Sequence, residues 1–108
     1  MITDIEKQFH GAMIDIYRRA KQELGYNATR FLGMVSEHGG LATAKILLAA
    51  DGVSEGYVKL VENQRLDLSV EAVILEREWW PWFSDLERAT AVRRLKKYEY
   101  RGLLPDIT

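Results

Sequence analysis

Cysteine is absent from this 108-residue chain, and proline occurs only at Pro81 and Pro105. The first absence excludes disulfides, thiolate metal sites and cysteine nucleophiles. The second leaves helices free to occupy most of the chain. No apolar run approaches the roughly 18 residues of a membrane span; the densest stretch, residues 46–50, is part of one short helical segment. The chain opens Met1-Ile2-Thr3-Asp4, without the basic and apolar segments of a secretory leader. The expectation is a cytoplasmic protein with no membrane association. An excess of either charge is lacking too: 15 Lys and Arg stand against 16 Asp and Glu, so nothing draws the whole molecule toward nucleic acid or an anionic surface.

What is present suits one globular domain spanning residues 1–108. Hydrophobic residues make up 47% and charged residues 29% of the chain, ordinary values for a domain able to bury a core. Thr3-Asp4-Ile5-Glu6 reads as a capping box. From there Ile5, Phe9, Ala12, Met13, Ile16, Ala20 and Leu24 recur at helical spacing, and Gly25 follows as a helix stop. Asn27 is the next candidate cap, for a helix carrying Phe31, Leu32, Met34 and Val35 that ends at Gly39-Gly40. A third helix covers residues 41–50, and Ser54 caps a fourth with Tyr57, Leu60 and Val61 inward. Residues 65–68 read as a connector. Asp67 or Ser69 then caps a fifth helix through Val70, Val73, Ile74 and Leu75, although its β-branched residues also suit a strand. Ser84-Asp85-Leu86-Glu87 is a second capping box, opening a last helix that runs to Gly102, with a tail at residues 103–108 expected to fray. The architecture expected is all-α, about six helices, with the first and last the longest. The expected core is Ile5, Phe9, Met13, Ile16, Phe31, Leu32, Val35, Leu47, Leu48, Leu60, Val61, Val73, Ile74, Leu86, Val92 and Leu95.

Gly25-Tyr26, Arg30-Phe31-Leu32, Met34, Gly39-Gly40, Ala44-Lys45, Leu47-Leu48, Gly56-Tyr57 and Arg65-Leu66-Asp67-Leu68-Ser69-Val70-Glu71-Ala72 together form a recognisable pattern. The pattern resembles a family of small bacterial proteins of uncharacterised function. The resemblance implies a bacterial or phage-related origin and a compact helical domain. It carries no activity and no catalytic residues.

Several residue groups bear on function. His10 follows Glu6 by four residues and His38 adjoins Glu37, but neither forms an H-E-x-x-H or comparable ligand pattern. Gly39-Gly40 precedes a helix without the strand or Gly-Lys-Ser/Thr of a phosphate loop. Glu76 with Glu78 and Asp67 with Glu71 are carboxylate pairs, the second flanked by Arg65; a helix-start role complementing the macrodipole accounts for it. The helix pair over residues 47–61 is helix-turn-helix-like in outline, but its second helix offers Lys59 against Glu55 and Glu62 and so suits phosphate poorly.

Two features stand out. All three tryptophans, Trp79, Trp80 and Trp82, lie with Phe83 around Pro81. They serve either as a hydrophobic plug between helices or as a contact patch of the residue types enriched at hot spots. Charge is also uneven: Arg88, Arg93, Arg94, Lys96, Lys97 and Arg101 stand against Glu87, Glu99 and Asp106 in residues 86–108, so the acidic excess lies in residues 1–85. The sequence therefore points first to a non-enzymatic interaction protein that docks a protein partner, or itself, through Trp79, Trp80, Trp82 and Phe83. The alternative is a nucleic-acid-binding accessory domain using Arg93, Arg94, Lys96, Lys97 and Arg101. A small enzyme using His10 or His38 with nearby carboxylates is a third. No motif calls for a metal, a cofactor or a small-molecule ligand.

Overall fold

Phe9, Met13, Ile16 and Ala20 bury one stripe of a 21-residue helix, α1 (Asp4–Leu24), in a computed structural model that describes residues 4–98 and Tyr100. The Thr3 cap, Arg101, the Gly102 stop and the tail at residues 103–108 lie outside the described residues. Gly25 stops α1 in the left-handed conformation (φ 67°), which glycine adopts without steric cost. The chain continues through α2 (Thr29–His38), α3 (Gly40–Ala49), α4 (Glu55–Glu62), α5 (Val70–Ile74) and α6 (Asp85–Lys97). Two 3-10 turns, Leu66–Leu68 and Arg77–Trp82, flank α5. The protein is an all-α domain with no strand among the described residues. None of the described helices is long and apolar enough to cross a membrane.

Several local expectations are corrected. Asn27 does not cap α2: Ala28 occupies that position without a side-chain hydrogen bond, and Asn27 Oδ1 instead accepts from the Tyr17 hydroxyl at 2.5 Å. The segment from Val70 is a single helical turn capped by Ser69, whose Oγ accepts from the Ala72 amide at 3.1 Å and donates to the Leu66 carbonyl at 2.6 Å. The supposed connector is a 3-10 turn that buries Leu66 and Leu68. The second capping box forms as read, with Ser84 Oγ and the Glu87 side chain each accepting from the other's amide. Leu86, placed in the expected core, is 74% exposed. It lies seven residues before Arg93 and so shares that residue's solvent-facing stripe.

Gly40 has a role beyond ending a helix. A Cβ there would sit 2.7 Å from the His10 Cα, so α1 and α3 cross where only glycine fits. The His10 imidazole seals the crossing by accepting from the Gly40 amide at Nδ1.

The core divides in two. Phe9, Met13, Ile16, Val35, Ile74 and Trp79 belong to one cluster, whereas Ala20, Tyr57, Leu60, Leu66, Leu68 and Leu95 form another. Helix α4 rests mainly on the Leu66–Leu68 turn and belongs to the second cluster. The seam between the clusters is where the molecule opens.

Candidate ligand cleft

The aromatic corner is mostly a plug. Trp79 and Phe83 are buried, their rings 5.2 and 5.3 Å from that of Phe9. Trp80 is half-buried; its indole donates to the Leu75 carbonyl at 2.7 Å, and the Arg88 guanidinium lies over its ring. Arg88 also donates to the carbonyls of Trp80 and Phe83 and pairs with Asp85. Of the four aromatic residues read as a contact patch, Trp82 alone is exposed, at 42%.

The basic cluster is also divided. Arg93, Lys96 and Lys97 are exposed, but Arg94 is buried and so is withdrawn from any phosphate surface. The histidines are occupied differently: His10 holds the α1–α3 crossing, and His38 is exposed, 3.9 Å from the Glu37 carboxylate. Among the described residues no three His, Asp or Glu side chains converge as a metal site would require.

No sequence motif marks the cleft. It holds about 480 Å³ and opens between α1 and α2 on one side and the α3–α4 loop with α4 on the other. This volume lies within the range of small-ligand sites. Bulky Tyr17, Tyr26 and Phe31 line it together with the small residues Ala20, Ala28, Ala50 and Gly52, and Gly56 lets the Tyr26 hydroxyl approach, since a Cβ there would lie 3.5 Å from it. Ile16 and Val70 contribute from one core cluster, Leu60 and Leu68 from the other. The cleft is therefore the unfilled part of the seam, lined mainly by apolar groups.

Exposed Arg30, Asp51 and Glu55 line the cleft, and its floor carries a buried ion pair. Arg94 donates to Glu71 Oε2 at 2.9 Å, to the Leu47 carbonyl at 3.1 Å and to the Ala50 carbonyl at 2.8 Å. The last two belong to the C-terminal end of α3, whose carbonyls lack helical partners and favour a cation. Arg94 thus ties α6 to the end of α3 and to α5 at once. Burial pushes the Glu71 carboxyl up, against the lowering pull of its hydrogen bonds to its own backbone and to Arg94. Tyr57 stands beside this pair, 3% exposed, its hydroxyl without a hydrogen-bond partner among the described residues. Burial, and next the nearby Glu71 charge, push the Tyr57 phenol up, so it stays protonated. The Thr43 hydroxyl is likewise unpartnered, but Thr43 does not line the cleft.

A signal for the floor was present in the pattern. Glu71 lies three residues before Ile74, and Arg94 three residues after Ala91, so opposite charges sit on the inward stripes of two helices. Two such charges are buried together far more readily than either alone.

No family model, no curated protein and no solved structure matches this chain.

Proposed function

We propose that the protein is a non-enzymatic binding module whose receptor is the cleft between α1, α2 and α4. The observation that carries this reading is a largely apolar cleft of about 480 Å³ whose lining holds a few polar side chains, Arg30, Asp51 and Glu55 among them. A roomy apolar site with a few fixed polar groups is the general form of a small-ligand pocket. The divided core supports it further, because residues from both clusters remain available to an entering apolar group.

A screen of small neutral arenes by amide chemical-shift mapping tests the reading. Hits should move the resonances of Tyr17, Tyr26, Gly52 and Gly56. The variant Ala28→Trp, which places an indole in the opening, should abolish these shifts while retaining a cooperative thermal transition. Shifts that persist in Ala28→Trp, or a screen that leaves the cleft resonances still, contradict it.

Trp82 supports a second reading, self-association. Its neighbour Trp80 is held by an indole hydrogen bond to the Leu75 carbonyl, and Leu86, four residues on, is 74% exposed. An exposed tryptophan on a rigid support loses little conformational entropy on docking. Sedimentation equilibrium should then show a dimer that Trp82→Ala disperses, whereas a monomer at several hundred micromolar contradicts self-docking.

A further inference from the structure

Resting on the ligand-cleft reading, we propose that the cleft takes a small zwitterion with an apolar side chain, the charge pattern of a free apolar α-amino acid. Its carboxylate meets Arg30, and its ammonium meets Asp51 and Glu55.

The placement of charge is the first argument. Arg30 lies on the α2 wall, one turn before Met34, which lines the cleft with it. Asp51 and Glu55 lie on the facing wall, in the α3–α4 loop and at the start of α4. The two walls thus carry opposite signs. The backbone adds to the positive one, because α2 begins there with neither a side-chain cap nor an acidic residue in its first turn.

The availability of these charges is the second argument. All three side chains are exposed, and none takes part in an ion pair or side-chain hydrogen bond among the described residues. Arg30 therefore does not close on either carboxylate across the opening. The remaining charges of the lining, Glu71 and Arg94, neutralise each other at the floor.

A carboxylate alone would meet Arg30 but also the two acids of the facing wall. An ammonium alone would meet the acids but also Arg30. A molecule carrying both charges on one small head group serves both walls at once. Its side chain then enters the apolar interior, where Ile16, Phe31, Leu47 and Leu60 lie.

Four probes sharing a phenyl ring decide the matter. L-Phenylalanine carries both charges, 3-phenylpropionate lacks the ammonium, phenethylamine lacks the carboxylate, and ethylbenzene lacks both. Each is titrated at pH 7 and low salt and followed by amide shifts of Tyr17, Tyr26, Gly52 and Gly56. L-Phenylalanine should bind the wild-type chain roughly 2- to 5-fold more tightly than either singly charged analogue, the worth of one exposed ion pair. Arg30→Gln should erase its advantage over phenethylamine. Asp51→Asn combined with Glu55→Gln should erase its advantage over 3-phenylpropionate. These substitutions fall on exposed side chains, and thermal transitions verify that the variants fold. If ethylbenzene moves the cleft resonances but L-phenylalanine binds no more tightly than its singly charged analogues, the zwitterion assignment is overturned and the cleft remains a ligand site. Advantages that survive in the variants overturn it equally. If none of the four probes moves the cleft resonances, the assignment and the reading it rests on fall together.

Discussion

The Arg94 guanidinium donates to the Glu71 carboxylate at 2.9 Å with side chains only 8% and 6% exposed, so two helices are joined through opposite charges inside an apolar interior. Breaking such a pair leaves one charge buried alone, which generally costs about 3–5 kcal/mol. Arg94→Met should therefore lower the free energy of unfolding in urea by that amount. Adding Glu71→Leu should return part of the loss, because it removes the stranded carboxylate. The part not returned reflects the Leu47 and Ala50 carbonyls left without their donor. A loss below about 1 kcal/mol for Arg94→Met would show that the pair does not tie the helices together.

The α1–α3 crossing makes a second, contrasting prediction. A methyl at Gly40 meets the His10 backbone, which cannot swing aside. Gly40→Ala should cost about 1–3 kcal/mol, the usual range for overpacking. Gly33, within α2, has open space around its missing side chain and no positive φ. Gly33→Ala should stabilise by about 0.5–1 kcal/mol through helix propensity. Urea unfolding of both variants checks the opposite signs.

The tryptophans should separate by burial. Trp79→Ala removes a ring packed edge-on against Phe9 and should cost about 3–5 kcal/mol. Trp82→Ala should cost less than about 1.5 kcal/mol, since much of that ring already faces solvent. In fluorescence, Trp82→Ala should remove the component most readily quenched by acrylamide and shift the emission to the blue. Unchanged quenching in that variant would place the exposed indole elsewhere.

The helix α6 cap should be acid-labile in a defined direction. Burial pushes the Glu87 carboxyl up, but Lys45 at 2.8 Å and the Ser84 amide outweigh it and hold the group below its ordinary 4.5. A carboxyl with a depressed folded value contributes stability above its unfolded value, and that contribution is lost as pH falls through the folded one. The wild-type chain should therefore lose stability below about pH 4.5 more steeply than Glu87→Gln. The raised Glu71 carboxyl has the opposite slope and is common to both chains, so the difference between their urea unfolding curves from pH 7 to pH 3 isolates Glu87. Parallel acid limbs would show that the ion pair and the cap do not hold the carboxylate.

The parts of this fold legible in the sequence are those written in local patterns. The α1 stripe needs only Phe9, Met13, Ile16 and Ala20 at helical spacing, and the α6 cap needs only Ser84 and Glu87. Leu86 is apolar but out of phase with the inward stripe: the same turn that buries Ala91 and Leu95 turns Leu86 outward. The close approach at Gly40 was hidden because a glycine after Gly39 already had a sufficient role as a turn. The cleft is a property of how α4 stands against α1 and α2, which no single segment records. Its small residues, Ala20, Ala28 and Gly56, are scattered over three separate stretches and look unremarked in each. The inward charges of Glu71 and Arg94 were its one local trace.

Intermolecular nuclear Overhauser effects between a small neutral arene that shifts the cleft resonances and carbon-13-labelled methyl groups test the central claim most directly. The account predicts contacts from the ligand to the methyls of Ile16, Met34, Leu47 and Leu60, which all face the cleft. Contacts confined to residues outside the cleft, such as Trp82 or Leu86, or no intermolecular contact at all, would contradict it.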